Sequence, residues 1–286
     1  MLAILWNGQS YGAAERRRDV VFAKADGESL ALDFYPAESV SGAAPLLIYV
    51  HGGAWRAGDK ADVPILDFTR RGYAIASVNY RLTPQAPFPA NLHDIKAAVR
   101  YLRANARKLD VDPDRFAIVG SSAGGHLAAL AGVSHGVPEL EGSLGEFPQT
   151  SSQVQAIVSY YGASNLESIL SQSTEFGRGV RVPALQLLLG GQPTEKPQLA
   201  RLASPIAHVD HADPPLLLLH GDADPQMPCE QSRELTRAYS KAKALGELIV
   251  IPGAKHGGAE FYDEAHSRQV DAFLRRAFAA SSAGRR

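Results

Sequence analysis

Apolar and polar positions follow two rhythms along this chain. Short, nearly unbroken apolar runs recur at Asp19–Lys24, Leu30–Tyr35, Pro45–His51, Tyr73–Asn79, Arg115–Ser121, Val154–Tyr160, Pro215–His220 and Glu247–Ile251, and each reads as a strand. The first two flank Asp26-Gly27, a hairpin signal. From the third onward the runs are continuous, as in PLLIYV and PPLLLL, which is the pattern of parallel strands covered on both faces. Between them the rhythm changes to a helical period. Leu92, Ile95, Val99 and Leu102 mark one helix within Asn91–Arg107, with lysine and arginines on its other face. Leu235 and Tyr239 mark a second within Glu230–Leu245, and Val270, Phe273, Leu274 and Phe278 mark a third near the end. The fold class is therefore α/β: a mostly parallel eight-stranded sheet with an N-terminal antiparallel hairpin and helices on both faces.

Two stretches break the pattern. Residues 134–153 and 162–212 are rich in Gly, Pro and Ser and lack a sustained period. Irregular segments of that length in compact domains are usually functional or mobile. They follow the fifth and sixth strands, so both are expected to overhang a site at the strand ends and to shape a substrate pocket. No internal repeat or long linker divides the chain, and residues 1–286 read as one domain, with the tail SSAGRR expected to fray.

Composition narrows the partners. The chain has 29 basic and 30 acidic residues, so no global field favours nucleic acid or an anionic membrane. The Arg16-Arg17-Arg18 run reads as a solvated face. A single cysteine, Cys229, excludes an intrachain disulfide and fits a reducing compartment. The N-terminal MLAILWNGQSYG lacks the charge and cleavage pattern of a signal peptide, and no apolar run nears the roughly 20 residues of a membrane span. A cytoplasmic protein is expected. Neither GxGxxG, GxxxxGK[ST] nor HExxH occurs, so no cofactor and no metal is expected.

In an open parallel sheet, reactive groups collect at the carboxyl ends of the strands. The third strand ends in His51-Gly52-Gly53-Ala54-Trp55, the fifth in Gly120-Ser121-Ser122-Ala123-Gly124, the seventh in His220-Gly221-Asp222-Ala223-Asp224, and the eighth leads to Lys255-His256-Gly257-Gly258. Read in frame, GSSAG puts Ser122 at the tip of a strand-to-helix turn and Ser121 inside it. Ester hydrolysis needs a nucleophile, a base, a group that orients the base, and donors for an oxyanion. His256 follows both the serine turn and an acid-bearing strand end. Asp222 and Asp224 can each cap a turn instead of orienting an imidazole; Asp224, two residues further out, is favoured. Gly52, Gly53 and Ala54, with the amide of Ala123, offer the oxyanion donors. Trp55 and Tyr161 are expected to touch substrate. His51 and His220 read as structural supports, His266, further into the last helical region, as a surface residue, and most of His93, His126, His135, His208 and His211 as exposed or locally bonded.

The motifs HGGAWRAGDK, VNYRLTPQAPFPANLHDIKAAVRYL, VGSSAGGHLAAL, LLLGG, HGDADPQMP and GAKHGG together resemble the α/β-hydrolase esterase/lipase group that includes hormone-sensitive-lipase-like enzymes, and more narrowly its bacterial branch related to feruloyl esterases. The resemblance extends from about Pro45 to the last helix. It implies Ser122 as nucleophile, Asp224 as acid and His256 as base, in a serine carboxylesterase acting on small soluble esters of short acyl or aryl type. Two departures stand out: Ala54 replaces the third glycine of HGGG, and Lys255 adds a charge near the mouth. Kynurenine formamidases share the HGG-x-W exit, so hydrolysis of an aryl formamide is an alternative. A silent hydrolase-fold binding protein is a remoter one, because such proteins typically lose a triad residue. The expected partner is a small ester; a homodimer is compatible with the sequence but not specified by it.

Overall fold

The computed structural model describes residues 15–38 and 40–283. The apolar N-terminal patch and the last residues of the SSAGRR tail lie outside them. Eight strands form one sheet: β1 (Arg17–Ala25), β2 (Glu28–Tyr35), β3 (Ala44–Val50), β4 (Ala74–Val78), β5 (Val111–Ser121), β6 (Ala156–Tyr160), β7 (Leu216–Gly221) and β8 (Gly246–Ile251). Their order is β1-β2-β4-β3-β5-β6-β7-β8. β1 pairs antiparallel with β2 through the Asp26-Gly27 turn, where both residues have positive φ (51° and 83°), as a type I′ turn requires. β2 also runs antiparallel to β4, and every later pairing is parallel.

The longer helices are α1 (Ala90–Ala104), α2 (Ala123–Val133), α3 (Glu175–Leu189), α4 (Glu230–Ala242) and α5 (Glu264–Ala283). Alternation along β3 divides them between two cores. Leu46, Ile48 and Val50 join a core with Leu92 and Val99 of α1, Leu127 and Leu130 of α2, Leu185 and Leu188 of α3 and Leu235 of α4. Leu47 and Tyr49 face the other way, toward Phe273 and Leu274 of α5. Burial on both faces is why these strands are continuously apolar. Strands β3 and β5 are neighbours from which the chain winds in opposite directions, to β4 on one side and β6 on the other. That switch point is where a doubly wound sheet opens a crevice at its carboxyl edge.

The two irregular segments turn out differently from expectation. Within 134–153, Pro138–Glu141 makes one helical turn, and the stretch is stapled to the side of α1 rather than draped over the carboxyl edge. Lys96 Nζ donates to the Ser134 carbonyl (2.8 Å) and to Glu141 (2.9 Å), and the Arg100 guanidinium donates to the carbonyls of Glu141 (3.0 Å) and Leu144 (3.2 Å). The charged face of α1 is thus partly buried: Lys96 and Arg100 are 0% and 2% exposed. Segment 162–212 contains the 15-residue helix α3, hidden from sequence reading by Gly177, Gly179 and the internal Pro183. Thr174 caps it by accepting from the Gly177 amide at 3.0 Å.

Candidate active site

The turn after β5 holds Ser122 at φ 54° and ψ −117°, a backbone conformation that costs an L-residue of order 1–3 kcal/mol. The surroundings impose it. A Cβ on Gly120 would lie 2.2 Å from the Gly124 carbonyl, and one on Gly124 would lie 2.0 Å from the Val50 carbonyl, so the reversal from strand to helix closes only with glycine at both flanks. The Ser122 amide donates to the Tyr160 carbonyl (2.9 Å) and the Ser122 carbonyl accepts from the His126 amide (3.0 Å), pinning the turn between β6 and α2. Ser121, 8% exposed, instead bonds the Tyr49 hydroxyl at 2.9 Å.

Three side chains from three strand ends meet at this turn. Ser122 Oγ lies 2.7 Å from His256 Nε2, and His256 Nδ1 lies 2.6 Å from Asp224 Oδ2. Asp224 Oδ1 accepts from the amides of Gln226 (2.8 Å) and Met227 (2.9 Å), which leaves Oδ2 for the imidazole. With Nδ1–H donated to the carboxylate, Nε2 carries the lone pair that faces the serine hydroxyl. Burial pushes the Asp224 carboxyl up, but bonds from His220, His256 and the Met227 amide outweigh it and hold the group well below the usual carboxylate range. Burial also pulls His256 below the ordinary histidine value, against the opposing pull of Asp224. Asp222 is elsewhere: its Oδ1 caps the Gly253 amide at 2.7 Å.

A cavity of about 490 Å³ opens over this array, with Gly52, Gly53, Ala54, Ser122, Tyr161 and His256 in its wall. Gly53 sits at φ 111°, and a Cβ there would lie 1.9 Å from the Ala57 carbonyl. Ala54 follows at φ 51° and lines the cavity as well. Ala123 is the first residue of α2, so its amide is one of the donors that a helix N-terminus leaves without an intrahelical acceptor. Tyr161 stands edge-on to the His256 ring, with centroids 4.9 Å apart, and its hydroxyl is 2.9 Å from that of Tyr262. Among the described residues, no three His, Cys, Asp or Glu side chains cluster as metal ligands would.

Comparison with known proteins places the chain in a family. The BD-FAE family model matches residues 32–239. The chain belongs to the BD-FAE family. Esterase LipC of Mycobacterium tuberculosis is 36% identical over 221 residues, covering 75% of this chain and 53% of LipC. In general the chain spans about half the length of the curated relatives it matches. Among solved structures, a truncated carbohydrate esterase from gut microbiota superposes with a TM-score of 0.85 at 33% identity, covering 93% of this chain and 97% of that one. A Thermogutta terrifontis esterase with propionate bound superposes at 0.73 with 27% identity, covering 93% and 94%. The α/β-hydrolase fold is thereby shown.

Several expectations for this BD-FAE chain need correction. Trp55 does not line the cavity: it is 0% exposed, and its indole N–H donates to His126 Nδ1 at 3.1 Å. A buried indole needs an acceptor, and α2 supplies one. His126 is likewise fully buried, neither exposed nor locally bonded, because its other nitrogen reaches the Ala203 carbonyl at 2.7 Å. The pair ties the loop after β3 to the helix that carries Ser122. Lys255 is exposed and lies outside the cavity wall, as do all of residues 134–153. His51 and His220 are buried supports: His51 stacks on Tyr80 at 4.5 Å, and His220 bonds Ser232 Oγ (2.7 Å) and the Met227 carbonyl (2.9 Å). His266 sits in the first turn of α5 against Asp263.

Sequence reasoning missed Arg56, Asp62, Arg181 and Gln226, which also line the cavity. For Arg181 a signal was available. It falls on the buried stripe of α3 with Gly177, Ala184, Leu185 and Leu188, where a charge is out of pattern.

The His126 arrangement predicts a pH-dependent stability. Accepting from Trp55 at Nδ1 forces the proton onto Nε2, so protonating His126 breaks the indole bond, and burial lowers its pKa to about 4. Because the folded value is depressed, its contribution is complete above the unfolded value of 6.5 and is lost as pH falls through about 4, to a limit of about 3 kcal/mol. His126→Leu orphans the Trp55 N–H and the Ala203 carbonyl. It is expected to cost about 3 kcal/mol or more at neutral pH and to flatten the decline in Tm between pH 6.5 and 4. A variant whose acid melting profile parallels the parent's would contradict this assignment.

Proposed function

We propose that this protein is a serine carboxylic-ester hydrolase acting on small soluble esters. The observation that carries the reading is the continuous line of bonds from Asp224 through His256 to Ser122 Oγ at the floor of the cavity. In the first half-reaction Ser122 Oγ attacks the ester carbonyl and His256 Nε2 takes its proton. The developing oxyanion is met by amides of the Gly53-Ala54 loop and of Ala123. Collapse of the tetrahedral intermediate returns the proton from His256 to the departing alcohol and leaves an acyl-serine. Water, deprotonated by the same nitrogen, then attacks the acyl carbon and frees the acid and Ser122. Asp224 stays ionised throughout, since its bonding holds it far below neutral pH.

The cavity volume of about 490 Å³ suits a small substrate. The propionate held by the Thermogutta terrifontis relative supports the same size class. Each added methylene contributes about 0.8 kcal/mol only where it is buried, so kcat/KM is expected to fall beyond short acyl chains. A panel crossing acyl length with aryl acids and an N-formyl aryl amide tests this. A steady climb from acetyl to dodecanoyl esters would refute the size argument, and selective turnover of the formamide would move the activity to formamidase.

The same reading fixes a pH profile. Protonated His256 cannot accept the serine proton, so kcat/KM rises with pH as the imidazole deprotonates. With its pKa lowered by burial, the midpoint of the acid limb is expected below 6.5. An acid limb centred above 7 in a pH-rate profile would count against His256 as the base.

A further inference from the structure

Arg181 is 1% exposed, yet it lines the cavity that contains Ser122 and His256. Its Nε donates to the Gln226 carbonyl at 3.3 Å. Both terminal nitrogens, Nη1 and Nη2, are buried without an acceptor among the described residues. Burying a guanidinium in this way is costly unless its donors are met. The group does not escape by losing its proton, because burial lowers its pKa only to about 10. A buried position on the helix therefore carries an unmet cation, and the cavity it lines is the side from which an acceptor can reach it. Arg56 adds a second guanidinium to the same wall, against the single carboxylate of Asp62. Asp224 is already engaged by His256 and two amides. The balance of the wall favours an anion.

We infer that Arg181 is a specificity-determining residue, and that the esters this protein turns over best carry a carboxylate, which the paired Nη groups of Arg181 bind while Ser122 attacks the ester carbonyl. A planar carboxylate matches the two-pronged donor geometry of a guanidinium, and a charge-assisted pair in a buried site is stronger than a neutral one. The substrate class deepens the ester-hydrolase reading above and rests on it.

The test compares isosteric substrates that differ in charge. Monoethyl glutarate and ethyl glutaramate place a carboxylate or an amide on the acyl side; 4-acetoxybutanoate and 4-acetoxybutanamide place them on the alcohol side. Hydrolysis is followed by pH-stat on the full chain. In one of the two pairs the charged ester is expected to have at least a tenfold higher kcat/KM, and the pair concerned identifies the side that faces Arg181. Arg181→Gln should erase that ratio and Arg181→Lys should restore part of it. A structural role alone would lower both members of a pair together and leave the ratio intact, which would overturn the inference. So would a parent enzyme with no charge preference in either pair, a result that needs no variant to fold. Calorimetric binding of the same four compounds to Ser122→Ala separates the two proposals. Turnover of neutral esters without charge selectivity in binding defeats the Arg181 assignment alone. Charge-selective binding with no ester hydrolysed by the parent defeats the ester reading and leaves the anion site standing.

Discussion

Ser122→Ala is expected to lower kcat/KM by about 10⁵- to 10⁶-fold while leaving the fold intact. The hydroxyl is bonded to His256 Nε2, and the strained turn depends on the backbone at 122 and the flanking glycines, not on the side chain. His256→Ala should cost about as much, and the double variant little more, because nucleophile and base act as one unit. The neighbouring Ser121→Ala is the control. Its hydroxyl is committed to Tyr49, so its loss should change activity by less than about tenfold, in the range of a single hydrogen bond. Labelling with an active-site phosphonate and mapping the modified peptide checks the pair directly. An adduct on Ser121, or a Ser122→Ala protein that retains a hundredth of parental activity, would overturn the assignment.

Asp224→Asn is expected to cost about 10⁴-fold, against less than tenfold for Asp222→Asn. The difference follows from which groups face each carboxylate. The amides of Gln226 and Met227 demand an acceptor at one position of residue 224, so an asparagine must put its oxygen there and turn its NH₂ toward His256. Facing a donor, Nδ1 becomes the acceptor and the proton moves to Nε2, where it meets the serine hydroxyl and leaves no lone pair to receive a proton. Asp222 has a lighter task, accepting from the Gly253 amide, and an asparagine oxygen can do the same. Steady-state kinetics on the two variants decides the matter. An inactive Asp222→Asn beside an active Asp224→Asn would reverse the choice of acid.

Strands β3, β4, β6 and β7 were legible in the sequence because a short, unbroken apolar run is what a strand buried on both faces requires, while β1 and β2 were betrayed by the Asp26-Gly27 turn between them. That Ser122 and His256 would meet an acid from the end of β7 was legible because strand ends in a parallel sheet converge, but linear order alone left Asp222 and Asp224 both open. The misses share a cause of another kind. Trp55 and His126 are 71 positions apart, and neither residue type announces that it needs the other until the loop and helix are packed. Helix α3 was obscured because Gly177, Gly179 and Pro183 lower its intrinsic propensity, while tertiary burial of Ala184, Leu185 and Leu188 restores it. Residues 134–153 were placed over the site by their position in the chain, but Lys96 and Arg100 hold them to α1 through carbonyl contacts that any sequence could supply.

Helix α3 does more than border the cavity. Thr174 Oγ1 donates to the Pro225 carbonyl at 2.8 Å and Arg181 Nε to the Gln226 carbonyl, so the helix grips the loop that presents Asp224. Gly177 lets the two backbones meet: a Cβ there would lie 3.0 Å from the Pro225 carbonyl and 3.1 Å from that of Gln226. Pocket shape and acid placement are in this way properties of one joint, and they cannot drift independently as the protein diversifies. A chimera that imports residues 174–189 from a relative to change substrate range will inherit a mismatched grip on Asp224 unless residues 225–227 travel with it.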